Sequence, residues 1–201
     1  AEKLFGIDLN NDNFLGRFIK PFDRDQFTTA NNIETFDGAS DNTTLLTDVN
    51  SGEILFSDLS DPSLQKLLTN KDGSSFVAAS HHTAIDIEQS DDGYLRLLCY
   101  RDAHETTKRV RVGRSYREVT ENVPAGFLVT SFDSSGKLIQ ESTLLNKADP
   151  LTYEAERLFG IDLNYDDVQG RNVQEFDRDA FISDKGFYHI GTELSLIHIS
   201  E

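Results

Sequence analysis

The chain has 201 residues, a net charge of −16 and 37% hydrophobic residues. That apolar fraction supports a packed core and excludes wholesale disorder, while the acidity excludes a nucleic-acid binder, which needs a basic footprint. No apolar run reaches the ~20 residues of a membrane-spanning helix, no signal peptide opens the chain, and the single cysteine, Cys99, permits no internal disulfide and no Cys-based zinc site.

The chain opens on a stretch that it contains twice. Residues 1–27 and 155–181 align at an offset of 154, and 17 of the 27 positions are identical. The identities gather in Leu-Phe-Gly-Ile-Asp-Leu-Asn-x-Asp, in a Gly-Arg pair and in Phe-Asp-Arg-Asp. Residues 1–5 read as the last turn of a helix that stops at Gly6. In the second copy the whole element is visible. Asp149 suits the N-cap, Pro150 the first helical position, and Leu151, Ala155, Leu158 and Phe159 share one face up to the stop at Gly160.

Between the copies the texture is β. Thr44–Val49 and Glu53–Phe56 flank a hairpin-like Asn50-Ser51-Gly52 turn, and Asp61-Pro62 opens a short helix over Ser63–Leu68. Strands are predicted at Phe76–Ala79, Thr83–Glu88, Tyr94–Tyr100, Lys108–Val112, Tyr116–Thr120, Gly126–Phe132 and Lys137–Ser142. Asp91-Asp92-Gly93 and Asp133-Ser134-Ser135-Gly136 supply hairpin turns. The expected fold is mainly β (α+β): a small antiparallel sheet or sandwich flanked by short helix-and-loop linkers. The expected organisation is the end of one repeat (1–27), a β-rich repeat (28–148), a helix plus loop (149–171) and the start of a further repeat (172–193). Residues 194–201, Leu-Ser-Leu-Ile-His-Ile-Ser-Glu, resemble the in-frame translation of a transposon-type sequencing adapter. They are read as a non-native tail on a fragment from environmental sequencing.

Asp8, Asn10 and Asp12 occupy positions 1, 3 and 5 of an EF-hand-type loop, as do Asp162, Asn164 and Asp166. At this spacing short oxygen side chains converge on one hard cation as the backbone curls, and position 7, Phe14 or Val168, adds its carbonyl. Position 6, normally Gly, is Asn13 or Asp167, two residue types that tolerate the left-handed conformation. Position 12, normally a bidentate Glu, is Ile19 or Val173, so another oxygen must complete the shell; Asp23, Asp25, Asp177 and Asp179 are the candidates nearby. The metal predicted is Ca2+, bound weakly, about 10⁻⁴–10⁻³ M as in extracellular modules.

The stretch Ala-Glu-x-Leu-Phe-Gly-Ile-Asp-Leu-Asn-x-Asp resembles the linker of the bacterial, often cyanobacterial, tryptophan-rich repeat domain. Asp92–Leu98 and Phe127–Gly136 resemble strands of its body. The resemblance implies a small β-domain on a large secreted or cell-surface protein. This chain has no Trp; Phe76, Tyr100, Tyr116, Phe127 and Phe132 are the aromatics available for those places.

Lys108–Arg117 is a basic island, and alternation puts Arg109 and Arg111 on one strand face with Val110 and Val112 on the other. With Arg114, these residues suit a surface glycan or the acidic face of a neighbouring repeat. His81 and His82 near Asp86 and Glu88 invite a hydrolase reading, but no third ligand, nucleophile elbow or phosphate loop accompanies them. The sequence therefore points first to a non-enzymatic, calcium-binding structural repeat. An adhesive or carbohydrate-binding module using the Arg strand comes second, and a hydrolase third.

Overall fold

The computed structural model describes residues 17–36 and 42–170, the side chain of Pro62 apart. The first loop motif, with Asp8, Asn10, Asp12 and Phe14, and everything after Gly170 lie outside the described residues.

Period-two alternation sets the strands. In chain order they are β1 (Ile19–Pro21), β2 (Thr43–Asp48), β3 (Ile54–Asp58), β4 (Asp61–Leu67), β5 (His82–Gln89), β6 (Leu95–Arg101), β7 (His104–Val112), β8 (Ser115–Val123), β9 (Gly126–Phe132) and β10 (Leu138–Leu144). Among the described residues two helices accompany them, α1 (Arg24–Ala30) and α2 (Pro150–Phe159). Every strand pairing is antiparallel, in three small sheets ordered β1-β2-β3-β4, β10-β9-β6-β5 and β7-β8. The β-rich α+β class expected from the sequence is thus the class observed.

The second sheet is the middle layer. Along β6, Leu95, Leu97 and Cys99 face Leu45, Ile54 and Phe56 of the first sheet, joined by Leu68 and Phe132. Leu98 points the other way, into a second core with Ile85, Phe127, Ala155 and Phe159, so α2 covers the opposite face. A bulge in β5 between Ala84 and Asp86 lets Ala84 and Ile87 serve the first core while Ile85 serves the second. Burying an aromatic such as Phe132, fully enclosed and edge-on to Phe76 at 5.0 Å between ring centroids, is worth about 2–3 kcal/mol. Cys99 is buried here, and desolvation pushes its thiol up to about 12, in keeping with the inert thiol its apolar surroundings predict.

Three local readings change. The helix expected over Ser63–Leu68 is strand β4, paired Leu55↔Leu67, Phe56↔Lys66 and Ser57↔Gln65. Leu64, Leu67 and Leu68 have helical spacing, but β4 is an edge strand, where Pro62 costs no ladder bond. Phe76–Ala79 is not a strand; Ser75 and Val77 make single bridges to Thr69 and Glu53. An unforeseen helix, α1, starts at Asp23, whose Oδ1 accepts the Gln26 N–H at 2.8 Å. Phe22 and Phe27 pack across that cap with centroids 6.0 Å apart.

Candidate metal centre

Helix α2 delivers the second loop motif. Asp149 caps it by accepting the Leu151 N–H at 3.0 Å, Pro150 takes the first turn, and Gly160 ends it at φ +63°, all as the sequence predicts. Ile161 and Leu163 are buried in the second core on either side of Asp162. Backbone bonds add to this anchor. Phe36 N–H donates to Gly160 O at 2.7 Å, Asp162 N–H to Glu34 O at 2.9 Å, and Thr35 bridges Ile161. The loop is therefore held against the 34–36 segment at its first residue.

From there the chain winds round one carboxylate. Asp162 is 2% exposed. Its Oδ1 accepts the N–H groups of Asn164 (3.2 Å), Tyr165 (2.7 Å) and Asp166 (3.3 Å), and its Oδ2 that of Asp167 (3.0 Å). Tyr165 and Asp167 sit at φ +62° and +61°. Asp167 thus adopts the left-handed turn that position 6 of such a loop requires. Asp166 Oδ1 accepts the Val168 N–H at 3.0 Å, and its Oδ2 the Asn164 Nδ2–H at 3.2 Å. Positions 1, 3 and 5 are accordingly brought together. Asn164 is 4% exposed, and its Oδ1 is buried with no hydrogen-bond partner.

Three carboxylate oxygens, from Glu34, Asp162 and Asp167, all lie within 4.8 Å of one another. Oxygens bound to one calcium at about 2.3–2.6 Å lie no more than ~5 Å apart, so this triplet fits one ion. Sequence reasoning missed Glu34, which is distant in the chain and lies outside the repeated stretch. It also took Asp167 for a turn residue only.

Beneath the loop lies Glu156, fully buried. Its Oε1 accepts the Leu163 N–H at 3.3 Å and its Oε2 the Gly170 N–H at 3.0 Å. Desolvation raises its pKa, the two N–H groups partly offset that, and the charges of Asp166 and Asp162 push it further up. A signal for it existed, since Glu156 matches Glu2 at the repeat offset of 154.

The other expected residues lie elsewhere. Arg109 and Arg111 share one face of β7 and Arg114 lies in the turn that follows; Arg109 Nε is 3.8 Å from Glu118 Oε1. His81 precedes β5 at φ +66° and its ring stacks on His104 with centroids 4.3 Å apart. Asp86 pairs with Arg24 at 2.9 Å, and Glu88 accepts the Asn42 N–H at 3.2 Å. Comparison with protein-family models, curated proteins and solved structures finds no match to this chain.

Proposed function

We propose that the chain is a non-enzymatic, calcium-binding structural repeat of a large secreted or cell-surface bacterial protein, and that the Asp162 loop is its metal centre. The observation that carries this is the Asn164 side-chain oxygen, buried without a partner inside the loop that curls round the Asp162 carboxylate. Such an orphan costs about 1–3 kcal/mol, and a hard cation removes the cost. Asp162, Asn164 and Asp166 supply the oxygens the spacing predicts, with the Val168 carbonyl. Glu34 and Asp167 supply the charge that the missing position-12 Glu leaves wanting.

When bound, the ion neutralises converging carboxylates and ties the loop to the 34–36 segment. Asp162, through its four N–H bonds, holds the loop's curvature, and Glu156 holds its two ends from below. The site's role is rigidity at the junction between a helix and the next β-unit.

Calorimetric titration with calcium tests this. Saturable binding is expected, with one site lost in the double variant D162A/D166A. Tyr165, inside the loop, should sensitise terbium luminescence that calcium competes away. No binding at millimolar calcium, together with no terbium signal, would overturn the reading.

A further inference from the structure

Two features are left uncovered among the described residues, and they match each other. The first is the β7–β8 hairpin. Each strand has nine residues, about 30 Å at ~3.3 Å per residue. Residues 105–118 are exposed without a break, on both faces, so the ribbon stands clear of both four-stranded sheets. Its outer part, 108–117, holds Lys108, Arg109, Arg111, Arg114 and Arg117 and no acidic residue, in a chain of net charge −16. Arg109, Arg111 and the 69%-exposed Tyr116 share one face with Glu118, which lies across from Arg109 at 3.8 Å, while Lys108, Val110, the 60%-exposed Val112 and Arg117 share the other. A two-stranded ribbon with no partner is marginal in water, and exposed Tyr beside Arg is the composition of a docking anchor.

The second is a groove of about 540 Å³ between α2 and the middle sheet. Val129, Leu151 and Leu158 give it apolar walls, and Asp91, Asp92 and Glu154 give it carboxylates. Arg96, also present, is bound to Asp92 at 2.7 Å, and Arg157 lies along Gly170. Asp91 and Glu154 are therefore the carboxylates that remain to meet an incoming cation.

Topology keeps the arm out of its own chain's groove. β6 runs from the 90–93 turn, where Asp91 and Asp92 sit, down to the hairpin, and β9 returns to the 133–136 turn. Hairpin and acidic turn thus lie at opposite ends of the same strands, about 23 Å apart before the arm's own length is added.

We propose that the β7–β8 arm docks into the α2 groove of a second copy of this chain, with Arg109 and Arg111 meeting Asp91 and Glu154 and with Tyr116, on the same face, against the apolar wall. The contact joins two different surfaces, so it propagates head to tail and builds an open row of copies rather than a closed dimer. It is independent of the metal centre.

Sedimentation velocity over a hundredfold concentration range tests it. At low ionic strength the wild-type chain should associate as concentration rises, and about 1 M salt should reverse this. R109E/R111E should stay monomeric, as should D91K/E154K, whereas an equimolar mixture of the two should associate again. Zero-length carbodiimide cross-linking of isotope-mixed R109K/R111K, which keeps the charge and puts amines on the docking face, should join position 109 or 111 of one copy to Asp91 or Glu154 of another. A wild-type chain that is monomeric throughout, a mixture that does not associate, or the absence of that inter-copy cross-link would overturn the proposal. A monomer retained on a sulfated polysaccharide through Arg109 and Arg111 would overturn it too, and would assign the arm to anionic glycans.

Discussion

Glu156 Oε2 accepts the N–H of Gly170 at 3.0 Å, fourteen residues along the chain, while its Oε1 holds the N–H of Leu163. One buried carboxylate from α2 thus clasps both ends of the loop that follows it. Replacing it by Ala leaves two N–H groups without their acceptor, at about 1–3 kcal/mol each. E156A is therefore expected to lose roughly 2–6 kcal/mol in urea denaturation and to lose its stabilisation by calcium as well. A variant with wild-type stability would show that water replaces the carboxylate and that the clasp contributes nothing.

Calcium itself should act as a stabiliser by mass action. With a dissociation constant near 10⁻³ M, about 10 mM calcium stabilises the folded chain by ~1.4 kcal/mol. In a domain of this size that raises Tm by roughly 3–6 °C. Scanning calorimetry with calcium, with magnesium and with chelator checks this, and D162A should melt at one temperature in all three. An equal shift with magnesium would indicate general charge screening instead of a site.

How far the sequence carried the reading can be judged residue by residue. Gly126–Phe132 and the α2 cap at Asp149-Pro150 were legible because their signals are local: alternation in one case, capping chemistry in the other. The Ser63–Leu68 segment misled because Leu64, Leu67 and Leu68 fit a helical face, and Asp61-Pro62 reads as a helix start, whereas the segment folds back on β3 across the short Asp58–Asp61 turn as the second strand of a hairpin. Helix α1 carried its own capping signal, Asp23 with Gln26 and a Phe22–Phe27 staple. Asp23 looked instead like a spare calcium ligand, and the cap is the use the fold makes of it. At the metal centre the loop residues were legible from spacing, whereas Glu34 was not, because only tertiary pairing of residues 34–36 with Gly160–Asp162 brings it there.

His82 gives a pH dependence with a definite sign. Its pKa is lowered from 6.5, first by burial and then by the charges of Arg101, His104 and His81. The unfolded chain therefore binds a proton more readily than the folded one. The contribution is present above the ordinary histidine value and is lost as pH falls through the folded one. Melting temperatures should drop on acidification through this window, and H82Q should flatten the drop. NMR titration must place the His82 imidazole below the ordinary histidine value of 6.5, or the account is wrong.

Gly136 and Gly93 offer a comparison inside one molecule. Both sit in hairpin turns at positive φ, +89° and +81°. A Cβ at Gly93 meets nothing within 4 Å, whereas one at Gly136 meets Leu67 O at 2.9 Å and Phe56 Cε1 at 3.0 Å. The Gly136 turn is where the two four-stranded sheets meet, for Gly136 O accepts the Thr69 N–H and Thr69 O the Leu138 N–H, both at 2.8 Å. Alanine at either site costs about 1–2 kcal/mol for the left-handed backbone. Only G136A must also push a carbonyl and a core ring aside, at about 1–3 kcal/mol more. Denaturant titration of the two variants separates these contributions, and G136A is expected to be the less stable by at least ~1 kcal/mol. Because Leu67 and Phe56 belong to the first sheet and Gly136 to a turn of the second, that difference measures how tightly the sheets are closed at this corner. Equal losses would mean that the corner opens to admit a methyl group and that the first core, not the turn, holds the layers together.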